Sequence, residues 1–514
     1  MKLVTSAQMQ AIDNKAITEL KIPGIVLMEN AANGVCSDIY ALDAHESKRY
    51  LVIAGPGNNG GDGFAIARKL HTKNISVKTI MLSKPADLTG DSKTNYDILN
   101  NVSGEIIETN DLVKIKHELM HSDIVIDALF GTGLARALDG VYKSAVELIN
   151  DYAKFVISVD IPSGLDSDTA KPKDVTVTAD VTVTFAYEKI GHVISPGKRY
   201  CGRVTVADIG IPDSASLDMG IKNFIVKESD IRRLMLHLKR SDDSHKGDFG
   251  HALIVAGSRG KTGAAAMTAT AALRVGTGLV TMAVPASLNA IFEEKLTEVM
   301  TEPVRDDDGY FSDDAYDRIM ELTDKKSVVI IGPGMSTHPK TKTLVRELIK
   351  NIKDIPIVID ADGINIIAGD ITILKEAKTD IILTPHAGEM GRLVNMSAQD
   401  VLDDKINIAR KFAVDKNVAL ILKGANTIIA TPDEKVHVNG TGNAALSTAG
   451  TGDVLTGMVG GLLGQGLSVL RSSIIGTYIH GALGDEIAAK YGKVGIIATD
   501  FLAVIPSVIN NYSK

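Results

Sequence analysis

The chain has 514 residues, of which 45% are hydrophobic and 23% charged, and its net charge is −8 at pH 7. This length is too great for one ordinary hydrophobic core and predicts two or three folded domains. No long basic block is present, so we expect no nucleic-acid partner. With two cysteines, Cys36 and Cys201, the chain has neither a disulfide framework nor a cysteine-based zinc site, and we expect a reducing, cytoplasmic compartment.

No membrane segment is expected. The N-terminal residues lack the apolar core of a signal peptide. The segment 458–470 is apolar, but it is short and rich in glycine. It therefore predicts a close-packed helix within the protein rather than a membrane span.

Short apolar, β-branched runs alternate with helix-like segments along the whole chain. In the first half these runs are 50–54, 77–81, 124–128, 155–159, 181–185 and 204–206. In the second half they include 252–256, 280–284, 328–331, 357–359, 381–383 and 418–422. Such runs are typical of strands buried on both faces of a parallel sheet. Two α/β domains follow, with a boundary near the polar segment 211–216.

The first site prediction rests on the glycine-rich segment 55–63, which lies between a predicted strand and a helix predicted over 64–71. Strand, glycine loop and helix form the arrangement that binds pyrophosphate in doubly wound folds, although the spacing is not G-x-G-x-x-G. Asn58, Asn59 and Asp62 add oxygen atoms that suit a ribose, an amide or a cation.

Two further predicted strands of the first half end in polar residues. Asp127 precedes the turn Gly131-Thr132-Gly133, and Asp160 precedes Ser163. Ligands of open α/β sheets bind beyond the carboxyl ends of the strands, so these loops are predicted to meet at one crevice.

The segments NNGGDG, DALFGTGL and VDIPSGLD, with the later GHV and DIGIP, resemble an NAD(P)H-hydrate epimerase domain over residues 1–222. The resemblance implies a Rossmann-like, doubly wound fold and assigns Asp160 to proton transfer. It implies a potassium ion held by Asn59, Asp127 and Ser163. It also implies that the hydrated dinucleotide contacts Asn58, Asn59, Gly60, Gly61, Asp62, Gly131, Thr132, Gly133, Leu134, Ala135, Arg136, Ala137 and Asp160.

In the second half, polar turns end four predicted strands: 332–334 (GPG), 360–363 (DADG), 384–390 (TPHAGEM) and 423–427 (KGANT). A further segment, STAGTGD at 447–453, precedes an apolar helix predicted over 454–463. Amide groups at such a helix start can surround a phosphate oxygen, and Asp453 can accept a proton from a hydroxyl. The pattern predicts phosphoryl transfer to an alcohol.

Together these turns resemble the ribokinase-like superfamily, and more narrowly an ADP-dependent NAD(P)H-hydrate dehydratase over residues 228–508. The resemblance implies that Ala264, Gly334 and His386 contact the hydrated dinucleotide and that Asp453 faces its hydroxyl. It places the nucleotide, with Mg²⁺ assisting, on Lys423, Gly424, Ala425, Asn426, Thr427 and Gly452.

The fused arrangement implies repair of NADHX and NADPHX. One half is expected to interconvert their R and S epimers, and the other to dehydrate the S epimer with ADP, giving NAD(P)H, AMP and phosphate. A homo-oligomer is expected. Two alternatives stay open at this point: a ribokinase-like small-molecule kinase in the second half, and a non-catalytic binding domain in the first.

Overall fold

The computed structural model describes residues 1–134, 136–238 and 240–513. Of the predicted site residues, Ala135 lies outside this described part. The chain divides into two compact units, unit 1 from Met1 to Lys222 and unit 2 from Asn223 to Lys514.

Unit 1 is built on a seven-stranded, fully parallel sheet with the order β4-β3-β2-β5-β6-β7-β9. Two short strands, β1 and β8, form a separate parallel pair within the unit. The strands are β1 Lys2–Val4, β2 Tyr50–Ala54, β3 Val77–Met81, β4 Glu105–Glu108, β5 Ile124–Ala128, β6 Val156–Val159, β7 Val181–Phe185, β8 Glu188–Lys189 and β9 Arg203–Ala207.

Helices cover both faces of this sheet, and a hydrophobic cluster lies on each face. Burial on both sides explains why the central strands are continuous apolar runs. The helices are α1 Ser6–Thr18, α2 Gly24–Tyr40, α3 Asn58–Thr72, α4 Gly90–Asn101, α5 Leu112–His121, α6 Gly140–Tyr152, α7 Ile190–Val193 and α8 Lys198–Cys201.

The strand order of unit 1 reverses between β2 and β5. From β2 the chain winds outward through β3 and β4, and from β5 it winds in the other direction through β6 and β7. A crevice opens at the carboxyl ends of two strands where the winding reverses in this way. The loops after β2, β5 and β6 are therefore placed to form one site.

In the described part of unit 2, ten strands form a sheet in the order β13-β12-β11-β16-β17-β18-β19-β20-β21-β10. The strands from β13 to β19 are parallel neighbours, whereas β20 is antiparallel to β19 and β21. They are β10 Asn223–Val226, β11 His251–Val255, β12 Leu279–Pro285, β13 Met300–Val304, β16 Val328–Ile331, β17 Ile357–Ile359, β18 Ile381–Leu383, β19 Ala419–Leu422, β20 Ile428–Ala430 and β21 Val436–Asn439; β14 Asp306–Asp307 and β15 Tyr310–Phe311 form a small hairpin.

The helices of unit 2 are α9 Glu228–Met235, α10 Thr262–Arg274, α11 Asn289–Lys295, α12 Tyr316–Leu322, α13 Pro339–Asn351, α14 Asp362–Ala368, α15 Ile373–Glu376, α16 Ala387–Val394, α17 Ala398–Asp403, α18 Lys405–Lys416, α19 Thr451–Gly464, α20 Val469–Tyr491 and α21 Ala498–Ser513. Helix α19 is buried along almost its whole length. It packs so closely on α10 that a Cβ on Gly457 would lie 2.1 Å from the carbonyl oxygen of Thr268.

The predicted fold classes are confirmed, since a doubly wound parallel sheet is followed by a second, mainly parallel α/β sheet. Two predicted helix starts are wrong. Helix α3 begins at Asn58 rather than at 64, and α19 begins at Thr451 rather than at 454. The apolar segment 458–470 spans the end of α19 and the start of α20, and no helix within the described residues is long and apolar enough to cross a membrane.

Candidate functional sites in the two units

The crevice of unit 1 contains a cavity of about 170 Å³. Among the residues that line it are four predicted contacts, namely Asn58, Asp62, Thr132 and Asp160, together with Asp13 and Lys189, which were not predicted. The loops after β2, β5 and β6 therefore meet at one crevice, as predicted. Four carboxyl groups, those of Asp13, Asp62, Asp91 and Asp160, and the ammonium group of Lys189 line the cavity.

The NNGGDG segment is the first turn and a half of α3 rather than a loop. Its glycines allow close packing, because a Cβ on Gly60 would lie 2.0 Å from the carbonyl oxygen of Gly55. The N-cap residue Gly57 supplies no side-chain hydrogen bond, and the space where its Cβ would stand is open. The free amide groups at this helix start suit an anion such as a pyrophosphate.

Asp160 follows β6 with a backbone φ of +64°, which is a costly conformation for a non-glycine residue. Its Oδ1 accepts hydrogen bonds from the Lys189 ammonium at 2.8 Å and from the Thr184 hydroxyl at 3.0 Å. Its Oδ2 accepts one from the backbone amide of Thr132 at 3.3 Å. Burial opposes ionisation, but Lys189 and these donors outweigh it, so that the pKa of Asp160 is lowered. Asp160 is therefore ionised and held in place.

Lys189 is 1% exposed, and its ammonium also donates to Thr184 at 2.7 Å. Its backbone amide donates to Nδ1 of His192, so Nε2 of that ring carries the proton and donates to the Asp160 carbonyl at 3.0 Å. Burial, followed by the charge of Lys189, lowers the pKa of His192 to about 3. The neutral imidazole thus holds the backbone of both partners of the ion pair, Lys189 and Asp160.

Two other carboxyl groups in the cavity have a raised pKa, in contrast to Asp160. Burial, followed by the charges of Asp160 and Asp13, raises the pKa of Asp62 well above its ordinary value. Burial also raises the pKa of Asp13 to about 6, although Lys189 counteracts it. One small site therefore contains an ionised carboxylate and a protonated carboxylic acid.

The three residues predicted to hold potassium lie beside this cavity. Asp127 is fully buried and accepts hydrogen bonds from the hydroxyl and amide of Ser163, at 2.6 and 2.9 Å, and from Ser158 and Leu129. No ion pair neutralises Asp127 within the described residues, and the amide nitrogen of the buried Asn59 has no hydrogen-bond partner there. A buried carboxylate without a counter-charge, in an all-oxygen set, fits a monovalent cation.

Of the predicted contact loop from 131 to 137, Thr132 lines the cavity. A Cβ on Gly131 would lie 3.1 Å from Oδ2 of Asp160 and 3.2 Å from Oδ1 of Asn59, so this glycine lets the loop approach both side chains. The Leu134 carbonyl accepts a hydrogen bond from the ammonium of Lys173. The remaining described positions of the loop are exposed, namely Gly133, Arg136 and Ala137.

In unit 2 the GTGD segment forms the start of α19. Gly450 is the N-cap residue, with a φ of +92°, and no side chain caps the first amides of the helix. The helix start is held by the Thr451 hydroxyl, which donates to the Leu446 and Thr448 carbonyls, and by the His480 ring against the Thr451 carbonyl. This geometry suits a phosphoryl oxygen.

A buried ion pair lies directly beneath this helix start. The Lys423 ammonium is 2.7 Å from Oδ1 of Asp360, whose Oδ2 accepts a hydrogen bond from the Thr456 hydroxyl at 2.6 Å. A Cβ on Gly452 would lie 3.3 Å from the same ammonium. Burial lowers the pKa of Lys423, but Asp360 and Glu389 outweigh it and the pKa is raised. A fixed positive charge therefore faces the site.

Asp453 is the carboxylate on this helix turn. Burial raises its pKa to about 7, and Asp360 adds to the shift while Lys423 opposes it. A carboxylate whose pKa lies near neutral pH is suited to accept a proton as a general base.

The other predicted residues of unit 2 surround the same edge of the sheet. A Cβ on Gly334 would lie 3.1 Å from that of Ala264, so these two predicted contacts are neighbours. His386 is the N-cap of α16, where Nδ1 accepts from the amides of Gly388 and Glu389. It also pairs through its backbone with Lys423, so the third predicted contact adjoins the nucleotide loop.

The predicted nucleotide loop, 423–427, is supported by a residue that the sequence did not reveal. The buried Lys405 donates to the carbonyl oxygens of Ala425 at 2.6 Å and Asn426 at 3.2 Å. Burial lowers the pKa of Lys405 to about 8. Gly424 is exposed, and the Thr427 hydroxyl donates to its carbonyl at 3.0 Å.

Four residues of the two sites were missed or left without a role by sequence reasoning: Asp13, Lys189, Lys405 and Thr456. Lys189, Lys405 and Thr456 each donate a hydrogen bond to a residue distant along the chain, as Thr456 does to Asp360. The one available signal was Lys189, a lone lysine in the apolar segment that follows β7.

The fold and the sites define a two-unit α/β protein with Rossmann-like and ribokinase-like halves, each with an aspartate in the first turns of a helix whose start has no side-chain cap. Residues 24–191 match the family described as YjeF-related protein N-terminus, and residues 252–507 match the one described as NAD(P)H-hydrate dehydratase. A solved structure, the hypothetic protein SMU.573 from Streptococcus mutans, is 24% identical with a TM-score of 0.50, covering 57% of this chain and 100% of that chain, which supports the fold.

Relatives that align over the full length of the chain identify the family of the whole protein. The bifunctional NAD(P)H-hydrate repair enzyme of Moorella thermoacetica is 40% identical, over 100% of this chain and 98% of the relative. Its counterpart from Thermofilum pendens is 35% identical over 99% and 96%. The chain belongs to the family of bifunctional NAD(P)H-hydrate repair enzymes.

Proposed function

We propose that this protein repairs hydrated nicotinamide dinucleotides in two steps. Residues 1–222 interconvert the R and S epimers of NADHX and NADPHX, and residues 228–508 dehydrate the S epimer with ADP. The observation that carries the proposal is Asp453, whose pKa of about 7 and position at an uncapped helix start suit it to activate a hydroxyl. The full-length relatives support the pairing of the two activities in one chain.

In the dehydration step, Asp453 takes the proton from the hydroxyl of the hydrated ring. The hydroxyl oxygen attacks the terminal phosphate of ADP, the bond between the two phosphates breaks, and AMP leaves. The phosphate ester on the ring is a far better leaving group than hydroxide. The electron pair of the ring nitrogen then expels inorganic phosphate, and loss of a proton from the ring gives NAD(P)H.

Charge that develops on the transferring phosphoryl group needs fixed donors. The amides of Gly450, Thr451 and Gly452 and the ammonium of Lys423 are placed to provide them. No cluster of three or more His, Cys, Asp or Glu side chains in the described residues could hold a metal. Mg²⁺ bound to the nucleotide phosphates would neutralise part of their charge.

The loop 423–427 would hold the nucleotide, with Lys405 keeping its carbonyl oxygens turned inward. The dinucleotide would meet Ala264, Gly334 and His386 at the neighbouring strand ends. In unit 1 the pyrophosphate would lie at the start of α3, and the hydrated ring would enter the cavity beside Asp160. Potassium, held by Asn59, Asp127 and Ser163, would supply the counter-charge that Asp127 lacks.

The test is to supply both NADHX epimers with ADP and Mg²⁺ and to follow the recovery of reduced-nicotinamide absorbance. Complete recovery is expected from the wild-type protein, with one AMP and one phosphate for each NADH. Asp453→Asn should slow the recovery about 100-fold or more while the epimers still interconvert. Recovery near the wild-type rate in this variant would contradict the role of Asp453. Phosphorylated product without NADH would instead support a small-molecule kinase.

A further inference from the structure

Asp62 is a buried carboxyl group of the unit 1 cavity, and it has no structural partner among the described residues. The side chain of Asp62 is 8% exposed and faces the cavity, and it forms no hydrogen bond or ion pair within the described part of the chain. A buried polar group without a partner is costly, and in a native structure it usually has a function. Asp62 is therefore available to a ligand, whereas Asp160 is already held by Lys189 and Thr184.

The charged groups around Asp62 come from four elements. Asp13 lies on α1, Asp91 on α4 and Lys189 on β8, and Asp160 follows β6; all of them line the same cavity. The only cation among these four groups, Lys189, forms its ion pair with Asp160 at 2.8 Å. The ammonium group therefore neutralises Asp160, and among the three other carboxyl groups, those of Asp13, Asp62 and Asp91, the buried one is Asp62.

We propose that Asp62 is the proton donor of the epimerase site and acts opposite Asp160, the proton acceptor, on the ring hydroxyl of the hydrated dinucleotide. The inference rests on the proposed function and adds a second catalytic residue to it. Lys189 is a positioning residue, because it acts through Asp160. The shifts of the two carboxyl groups agree with these roles, since burial raises the pKa of Asp62 while Lys189 helps to lower that of Asp160.

The carboxylic acid of Asp62 donates its proton to the ring hydroxyl, the carbon–oxygen bond breaks, and its electron pair leaves with water. The lone pair of the adjacent ring nitrogen forms a double bond to the carbon, giving a planar cation. A second water molecule adds to the opposite face while the Asp160 carboxylate accepts its proton. Solvent returns the proton from Asp160 to Asp62, and the oxygen of the product comes from water.

The experiment uses the full chain, the purified R epimer of NADHX and no ADP, and it follows interconversion by chromatography after subtraction of the enzyme-free rate. For Asp62→Asn we expect kcat to fall about 100-fold or more with KM changed less than about threefold. The wild-type rate should fall as the pH rises through the pKa of Asp62, and this alkaline limb should disappear in the residual rate of the variant. In ¹⁸O-labelled water each inversion should introduce one solvent oxygen.

Controls separate this inference from the proposed function. Asp43→Asn makes the same chemical change at an exposed position and should leave the rate unchanged, whereas Asp13→Asn should keep the alkaline limb. ADP-dependent repair of the S epimer by Asp62→Asn would show that the chain is folded. Wild-type kcat in Asp62→Asn, a loss in KM alone, or inversion without solvent oxygen would overturn the inference. If the wild-type protein itself does not interconvert the epimers, it is the proposed epimerase function that fails.

Discussion

Lys423 and Asp360 form a buried ion pair, with 2.7 Å between the ammonium nitrogen and Oδ1, directly beneath the start of the helix that carries Asp453. The pair joins the carboxyl ends of β17 and β19 across the sheet. It also sets the charge of the site, because the ammonium lies beside Gly452. One interaction therefore contributes both to the stability of unit 2 and to phosphate binding.

The variant Lys423→Met should lower both the stability of unit 2 and its affinity for ADP. Asp360 would be left as an unpaired charge at a position that is 1% exposed, which costs about 3–5 kcal/mol of unfolding free energy. Urea unfolding of the full chain and ADP titration measure the two effects. Lys435→Met is the matched control, since Lys435 pairs with Asp433 where both side chains are about half exposed. Equal stability of the two variants would contradict this view of the pair.

The dehydration rate should depend on the ionisation of Asp453. A base must be unprotonated to accept the hydroxyl proton, so the rate should rise with pH and level off above about 7. At about pH 6 it should be roughly tenfold below the plateau. The measurement is the initial rate with the S epimer at saturating ADP. A flat profile between about pH 6 and about pH 8 would assign the proton transfer to another group.

Lys189→Met should change the pH profile of epimerisation as well as its rate. Without the ammonium, the buried Asp160 keeps only the Thr184 hydroxyl and a backbone amide as donors, and its pKa should rise. The acid limb of the profile should then move upward into the measurable range. Lys143→Met, which removes an exposed ammonium paired with Asp174, should leave the profile unchanged. If the rate falls but the acid limb stays at its wild-type pH, Lys189 does not act by lowering the pKa of Asp160.

The close packing of α19 on α10 predicts opposite effects for two glycine substitutions. Gly457→Ala should destabilise the protein by about 1–3 kcal/mol, because the new methyl would lie 2.1 Å from a backbone carbonyl oxygen of α10. Gly263→Ala, in α10, meets open space and should stabilise it by about 0.5–1 kcal/mol. Chemical denaturation of both variants provides the comparison. A stabilising Gly457→Ala would show that the two helices can separate without cost.

The central strands were predictable because full burial demands continuous apolar runs, as in β5 and β16. The edge strand β4 escaped prediction, because it is a short segment with a glutamate at each end and its burial is incomplete. The start of α3 was also missed, because two asparagines and several glycines have low helix propensity. Tertiary contacts determine where this helix begins: a Cβ added to Gly60 would lie 2.0 Å from the carbonyl oxygen of Gly55.

The candidate sites follow the same rule. Residues at strand ends, such as Asp160 and Asp453, were predictable because the ends of parallel strands and the helix starts that follow them meet at one edge of the sheet. Their partners were not, because Lys189 and Lys405 reach the sites from separate elements of the fold. Charge pairing of this kind depends on tertiary distances, which no local pattern contains.

The most direct test of the account starts from the pure R epimer of NADHX, with ADP and Mg²⁺, and measures NADH, AMP and phosphate together. Both units must act in turn, because epimerisation has to supply the epimer that the Asp453 site dehydrates. We expect complete conversion to NADH with one AMP and one phosphate for each molecule, and interconversion of epimers alone when ADP is omitted. NADH formation without consumption of ADP, or consumption of ADP without NADH, would contradict it.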